Sequence, residues 1–161
     1  MNTKKWIILC AVLLVAVLVL PFPQHVNQTM KGIVYHEIGK DEEEADLSIR
    51  GWELHFLVFR DLYQYKITVR TAGAEQTFET PMQQAFSFSK DWDYLTMTPV
   101  YDEAVNRYTY SGALLISKSR KEIYIEKTGI STWKDCNILG SVDINADYQT
   151  LEEKIPLARE R

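Results

Sequence analysis

The first apolar segment of the chain has no charged and no polar side chain over residues 6–20, WIILCAVLLVAVLVL. Pro21 and Pro23 follow it, and a helix ends there because proline cannot donate a helical backbone hydrogen bond. A helix of roughly 17 residues covers roughly 25 Å, slightly less than a hydrocarbon core of about 30 Å. The pattern therefore predicts an N-terminal transmembrane helix over residues 6–22.

The basic residues before this segment predict its orientation. Lys4 and Lys5 favour a short cytoplasmic tail of residues 1–5, with the rest of the chain outside the cytoplasm. Two alternatives use the same segment: a cleaved signal peptide, and a lipoprotein attached through Cys10. The end of the apolar run lacks the small residues of a cleavage site, and Leu9 stands where a lipoprotein signal has a small residue. Both alternatives are therefore weaker than an uncleaved single-pass anchor in the cell membrane.

After the apolar segment, the hydrophobic pattern changes to a period of two. Residues 23–29 are polar and are interpreted as a stalk, and apolar and polar residues alternate from Met30 onward. About eight short strands, separated by turn residues at intervals of roughly ten, are typical of antiparallel β-structure. We expect residues 30–161 to form one extracytoplasmic all-β domain, either an antiparallel β-sandwich or a small β-barrel.

Three local patterns refine this expectation. The alternation changes phase at Gly51, which predicts a β-bulge there. The acidic residues 40–46, KDEEEAD, are typical of a solvated connection. Residues 150–153, TLEE, have the spacing of a capping box and predict one helical turn that starts at Thr150.

Charge and cysteine content narrow the class of protein. The chain carries 18 Lys and Arg against 22 Asp and Glu, a net charge of −4. Nucleic acids require a basic face, so we expect no nucleic-acid partner. The two cysteines, Cys10 and Cys136, cannot meet if the first lies in a membrane. Cys136 is interpreted as a buried small hydrophobic residue.

Residues that could carry chemistry are few. His36 and His55 have no third ligand at a spacing that would suit zinc. Asp91 and Asp93 flank Trp92, a grouping compatible with glycoside cleavage, but carboxylates in a turn more often bind backbone amides. We therefore predict no catalytic residue, no metal site and no cofactor, and a protein that is not an enzyme.

Aromatic residues are the remaining candidates for a functional surface. Aromatic side chains exposed on a sheet can bind a sugar or a peptide, although cross-strand packing explains them equally well. The candidates for a ligand or partner surface are Trp52, Trp92, Tyr94 and Trp133.

Two strand segments carry a resemblance. Residues 51–56, GWELHF, and residues 112–118, GALLISK, are similar to segments of small membrane-anchored or lipoprotein-like β-domains of Gram-positive bacteria. The resemblance implies a location at the bacterial surface and transfers no site residue.

The sequence thus predicts a single-pass membrane protein whose outer β-domain is an accessory or interaction module with a protein partner. The alternative hypothesis is a domain that binds a small ligand, such as a sugar or a lipid, through exposed aromatic residues. A pocket lined by Trp and Tyr would favour the second hypothesis, and a filled core would favour the first.

Overall fold

The computed structural model describes residues 3–126 and 128–155. It contains one long helix, then a series of strands, then a short helix. The helices are α1 (Thr3–Val19), a 3₁₀ helix η1 (Ser131–Trp133) and α2 (Tyr148–Glu153). The first strands are β1 (Phe22–Tyr35), β2 (Glu42–His55), β3 (Leu62–Arg70), β4 (Glu75–Glu79), β5 (Gln83–Gln84) and β6 (Phe86–Ser87). The remaining strands are β7 (Trp92–Thr96), β8 (Val100–Asp102), β9 (Arg107–Thr109), β10 (Ala113–Ser117), β11 (Glu122–Glu126) and β12 (Asn137–Ser141).

Ten of these strands form one antiparallel sheet. Its order is β4-β3-β2-β1-β12-β11-β10-β7-β6, and β5 pairs with β3 beside β4. The sheet curls into a half-barrel, while β8 and β9 form a separate hairpin. The predicted all-β antiparallel class is confirmed, and a single curled sheet takes the place of the two-sheet sandwich.

The two ends of the curled sheet meet. The Thr98 N–H donates to the Glu79 carbonyl at 2.7 Å, and Gln83 Nε2 donates to the Thr96 carbonyl at 2.6 Å. These bonds join the chain after β7 to the β4–β5 side. The concave face is consequently closed around its contents.

Apolar residues fill both faces of the sheet. The inner cluster includes Leu47, Ile49, Ile67, Phe78, Leu95, Leu114, Ile123 and Ile138. The outer cluster, which α2 covers with Leu151, includes Ile33, Tyr35, Trp92, Leu115, Tyr124 and Leu139. Residues that alternate along one strand supply both clusters, because successive side chains point to opposite faces.

The N-terminal part of the chain differs from the prediction. The transmembrane helix over residues 6–22 is not confirmed: α1 has 17 residues and ends at Val19. Within the described ranges, no helix is long and apolar enough to cross a membrane. The prediction of a stalk is wrong, since residues 23–29 belong to β1 and pair with β2.

Three local predictions also change. No bulge occurs at Gly51, because the pairing of β2 with β1 and β3 runs through it without a shift. A side chain at position 51 would collide with the carbonyl of Gln64, so close approach of β3 is what requires glycine. The acidic connection is shorter than expected, since β2 begins at Glu42. The predicted helical turn exists, but Asp147 caps it by accepting from the Gln149 N–H at 3.1 Å.

Candidate functional site

Strand β1 has two neighbours along only part of its length. All fourteen of its residues pair with β2, from Phe22 opposite His55 to Tyr35 opposite Glu42. On the other side, β12 pairs with only five, from Lys31 to Tyr35. The remaining nine, residues 22–30, have no strand on this side within the described part of the chain. We call this side of residues 22–30 the open edge.

The position of Pro23 determines which backbone groups face the open edge. Pro23 lies opposite Leu54, yet it has no N–H to donate to β2. The bonds to β2 must therefore come from the even-numbered residues of this half, and the odd-numbered residues point the other way. The open edge accordingly presents the N–H groups of His25, Asn27 and Thr29, and the carbonyl groups of the same residues and Pro23.

The composition of the open edge is unusual for an exposed strand. Exposed edges attract other strands, and proteins commonly prevent this with lysine or other charged residues, or with proline. Residues 22–30 read FPQHVNQTM, so no Lys, Arg, Asp or Glu is present, and Pro23 stands at one end. Seven consecutive residues beyond Pro23 therefore have no feature that would discourage pairing.

One of the four predicted surface aromatics lies beside this edge. Trp52 is 47% exposed on the outer face of β2, opposite His25, and the two rings meet edge-to-face with centroids 4.9 Å apart. Both residues line a shallow groove of about 280 Å³ on the outer face, together with Arg50 and Lys66.

The structure does not bring the other three predicted aromatics to this surface. Trp92 is 4% exposed and lies in the outer apolar cluster, where Tyr94 also packs. Trp133 is 4% exposed in the inner cluster and stacks on Phe78 at a centroid distance of 6.4 Å. The prediction of one shared aromatic surface is wrong, because Trp92 is covered within the outer cluster and Trp133 is enclosed in the inner cluster, whereas Trp52 is exposed.

A buried ionic bridge lies behind the open edge, on the concave side. Arg120, in the turn between β10 and β11, donates from Nε to Glu53 Oε1 at 3.0 Å and from Nη1 to Asp93 Oδ2 at 3.1 Å. Its guanidinium also lies 4.9 Å from the ring centre of Tyr63. The bridge joins β2, which carries the open edge through β1, to β7 on the other side of the half-barrel.

Tyr65 completes this bridge. Its hydroxyl donates to the Glu53 carboxylate. Burial raises the pKa of Tyr65 far above its ordinary value, and the Glu53 carboxylate raises it further, so the hydroxyl stays protonated as a donor. The carboxylate of Glu53 thus has two donors and is satisfied inside the barrel.

His55 extends the network toward the loop between β2 and β3. Its Nε2 lies 3.3 Å from Glu53 Oε2, and its Nδ1 lies 2.7 Å from Asp61 Oδ2. Desolvation works against the charge of Asp61, but hydrogen bonds from His55 and from the Phe56 N–H outweigh it and lower the pKa of Asp61. This arrangement closes the base of the loop.

Cys136 is buried, as predicted. Its Sγ lies 3.3 Å from Nε2 of His36. Burial raises the pKa of the Cys136 thiol, and the nearby carboxylates of Asp135 and Glu43 raise it further. The contact therefore does not activate the sulfur as a nucleophile, because a reactive cysteine needs a lowered pKa.

The described residues contain no group of three or more His, Cys, Asp or Glu side chains that could hold a metal ion. The inner cluster fills the concave face with apolar side chains, many of them fully buried. The surfaces left for binding among the described residues are therefore on the outside of the sheet and along the open edge.

Sequence reasoning missed Glu53, Asp93 and Arg120 as a unit. Glu53 continues the phase of Leu47 and Ile49, which places it inside the barrel, whereas a bulge at Gly51 would shift it to the outer face. No signal in the sequence connects Arg120 to Glu53, which lies 67 positions earlier, or to Asp93, which lies 27 positions earlier.

Comparison with protein-family models, with curated proteins and with solved structures finds no match to this chain.

Proposed function

We propose that this chain is a membrane-held, non-enzymatic interaction module, and that the open edge of β1 receives an extended segment of a partner protein. The observation that carries the proposal is the nine-residue edge, whose outward backbone groups pair with no strand in the described part of the chain and which has no charged side chain. Strand addition at a free edge is a common mode of peptide recognition, in which backbone hydrogen bonds supply affinity.

The membrane location is supported by the surroundings of α1. Its apolar side chains from Trp6 onward are exposed on every side of the helix, with only Ala16 and Leu18 half-buried. A helix that is apolar all round requires an apolar environment all round. Lipid supplies one, so α1 together with its flanking residues anchors the chain. The side of the membrane follows the earlier prediction from Lys4 and Lys5, with the β-domain outside the cytoplasm.

The anchor and the edge act together. A strand added to seven residues makes only a handful of backbone hydrogen bonds, each worth about 1 kcal/mol net, so its affinity in solution is weak. Attachment to one membrane raises the effective concentration of a partner in that membrane. Because β1 starts three residues after α1 ends, the edge lies next to the anchor. A partner segment close to the membrane is the one best placed to use it.

Side chains beside the edge supply specificity. His25, Asn27 and Thr29 are exposed on the outer face, and Trp52 flanks them on β2. An added strand presents every second side chain on this face. Uncharged polar side chains and one aromatic ring favour a partner segment that is itself uncharged in its middle.

The alternative of a small-ligand site now depends on Trp52 and its groove. An exposed tryptophan beside Arg50 and Lys66 suits an anionic sugar. The groove shares His25 with the edge, so the two functions need separate variants. Trp52→Ala removes the ring and leaves the backbone of β1 intact.

The experiment uses full-length protein in membranes with a photoreactive amino acid in place of Asn27, and a control with the same group in place of Tyr108 on β9. We expect a cross-link to a defined segment from position 27 and none from position 108. Thr29→Pro, which removes one open-edge N–H, should abolish this cross-link, whereas Thr29→Ala should retain it.

A cross-link that survives Thr29→Pro, or one that forms equally from both positions, would contradict strand addition. Loss in Trp52→Ala but not in Thr29→Pro would favour the small-ligand alternative, and a cross-link to β1 of another copy would identify the partner as this chain.

A further inference from the structure

The loop between β2 and β3 lies at the end of the half-barrel that α1 enters. Phe22, three residues after α1, is paired with His55, the last residue of β2. Leu54 is paired with Leu62, the first residue of β3. The loop, residues 56–61, therefore begins and ends beside the junction of α1 and β1.

This loop exposes three consecutive large apolar side chains. Leu57, Val58 and Phe59 are 60%, 57% and 59% exposed. Arg60 follows them and is also exposed. Phe22, the neighbouring residue of β1, is exposed as well, so the apolar surface continues from the loop to the chain that leaves α1.

The exposure is not the result of a loose loop. Asp61 closes its base by accepting from the Phe56 N–H at 3.0 Å and from the His55 ring at 2.7 Å. Inside the loop, the rings of Phe56 and Phe59 meet edge-to-face with centroids 6.0 Å apart. Hydrogen bonds and ring packing thus hold a fixed loop with its apolar tip, residues 57–59, turned outward.

We infer that residues 57–59 insert into the lipid of the membrane that holds α1. This inference rests on the membrane location proposed above. The continuity of the apolar tip with α1 favours lipid as the occupant, because the same bilayer that surrounds the helix begins at this end of the half-barrel. Arg60 lies at the depth of the headgroups, where a cation binds lipid phosphate. Apolar side chains followed by a basic residue are the composition of interfacial membrane contacts.

A second contact with the membrane changes what the anchor can do. A single helix leaves the β-domain free to tilt, whereas a helix and a loop fix its orientation. The open edge is then held at one height above the lipid, where a partner in the same membrane can reach it.

The test uses full-length protein in vesicles of phosphatidylcholine and phosphatidylglycerol, with Cys10→Ser so that buried Cys136 is the only other thiol. An environment-sensitive fluorophore is attached through Val58→Cys, Leu13→Cys in α1 or Val105→Cys in the turn between β8 and β9. Quenching by lipids with a spin label on the acyl chain is compared with quenching by aqueous iodide. Leu57→Cys is a second reporter in the loop, in case the label at position 58 disturbs folding.

We expect quenching mainly by lipid at positions 13, 57 and 58, and mainly by iodide at position 105. The ratio of lipid quenching to iodide quenching should be at least about fivefold higher at the first three positions than at position 105. Phe59→Ser should shift the ratio at position 58 toward water. Iodide quenching at positions 57 and 58 equal to that at position 105, with position 13 still in lipid, would overturn the inference and leave the anchor intact. Iodide quenching at position 13 as well would overturn the membrane location and this inference together.

Discussion

The two halves of β1 show how one strand can be both core and surface. From Lys31 to Tyr35 the strand lies between β2 and β12, and four of these five residues are buried. From Phe22 to Met30 it has β2 alone, and Met30 is the only buried residue. The backbone register with β2 is the same throughout. The difference comes from β12, which ends at Ser141, and from α2, which covers Ile33 and Tyr35 on the outer face.

Unequal strand length is therefore what creates the candidate site. β1 and β2 have fourteen residues each, whereas β12 has five, so the long hairpin extends past the sheet that supports it. A two-stranded ribbon alone is only marginally stable. β3 and the ionic bridge of Glu53, Arg120 and Asp93 stabilise this extension from the other side. The open half is thus rigid without being covered.

Removal of the ionic bridge should have the largest effect on stability. Arg120→Ala leaves Glu53 and Asp93 buried without their cation, and we expect a loss of about 3 kcal/mol in the free energy of unfolding. Urea denaturation measures it. Lys118→Ala removes an equal charge from the same turn, but Lys118 is exposed, so its effect should stay below about 0.5 kcal/mol.

A rescue variant separates charge from packing. If uncompensated charge causes the loss, Asp93→Asn combined with Arg120→Ala should be more stable than Arg120→Ala alone. Equal stability of these two variants, or equal losses for Arg120→Ala and Lys118→Ala, would contradict the role assigned to the bridge.

Proline substitution should distinguish the two halves of β1 directly. Lys31 and Thr29 both point their N–H away from β2, but only Lys31 meets β12. Lys31→Pro should cost about 2 kcal/mol, because it leaves the Ser141 carbonyl without its donor. Thr29→Pro should cost less than about 1 kcal/mol, because its N–H has no partner in the sheet.

Alanine at each position provides the matched control for proline. Lys31→Ala loses only the exposed ion pair with Asp46 and should cost less than about 1 kcal/mol. At each position, the loss in the free energy of unfolding for the alanine variant is subtracted from the loss for the proline variant. The remainder is the effect of removing the backbone N–H. Equal backbone effects at positions 29 and 31 would mean that the edge is not open.

The smallest expected effect concerns the loop at the end of the open half. The pKa of Asp61 is lowered in the folded state, so its contribution to stability is present above its ordinary value of 3.8 and is lost as the pH falls through the lower folded value. The wild type should therefore denature at a higher urea concentration than Asp61→Asn at about pH 6. This difference should begin to shrink as the pH falls below 3.8 and should vanish below the lower folded pKa. An undiminished difference at that acidity would contradict the assignment.

Strand positions could be predicted where alternation is regular, as for Tyr63 to Val69, which lie within β3. Prediction failed where composition misled. Residues 23–29 are polar because one edge and the outer face are exposed, and a polar composition is also typical of a stalk without regular structure. Gly51 interrupts the apolar alternation without interrupting the pairing, because glycine is required there by the approach of β3.

The candidate site could not be predicted for a different reason. The open edge depends on where β12 ends relative to β1, a contact between residues more than a hundred positions apart in the chain. The bridge through Arg120 is equally non-local. Of the predicted surface residues, only Trp52 lies at the site, since the burial of Trp92 and Trp133 depends on which face of the curled sheet is covered.

Hydrogen exchange of individual β1 amides tests the open edge most directly. In full-length protein held in a lipid nanodisc, the amides of His25, Asn27 and Thr29 should exchange rapidly. The amides of Gln24, Val26 and Gln28, which donate to β2, should exchange slowly, and so should those of Ile33 and Tyr35, which donate to β12. This alternation in one half of the strand, together with uniform protection in the other, is the result that an open edge predicts. Uniform protection along the whole of β1 would mean that the edge is already covered, and would contradict the proposed function.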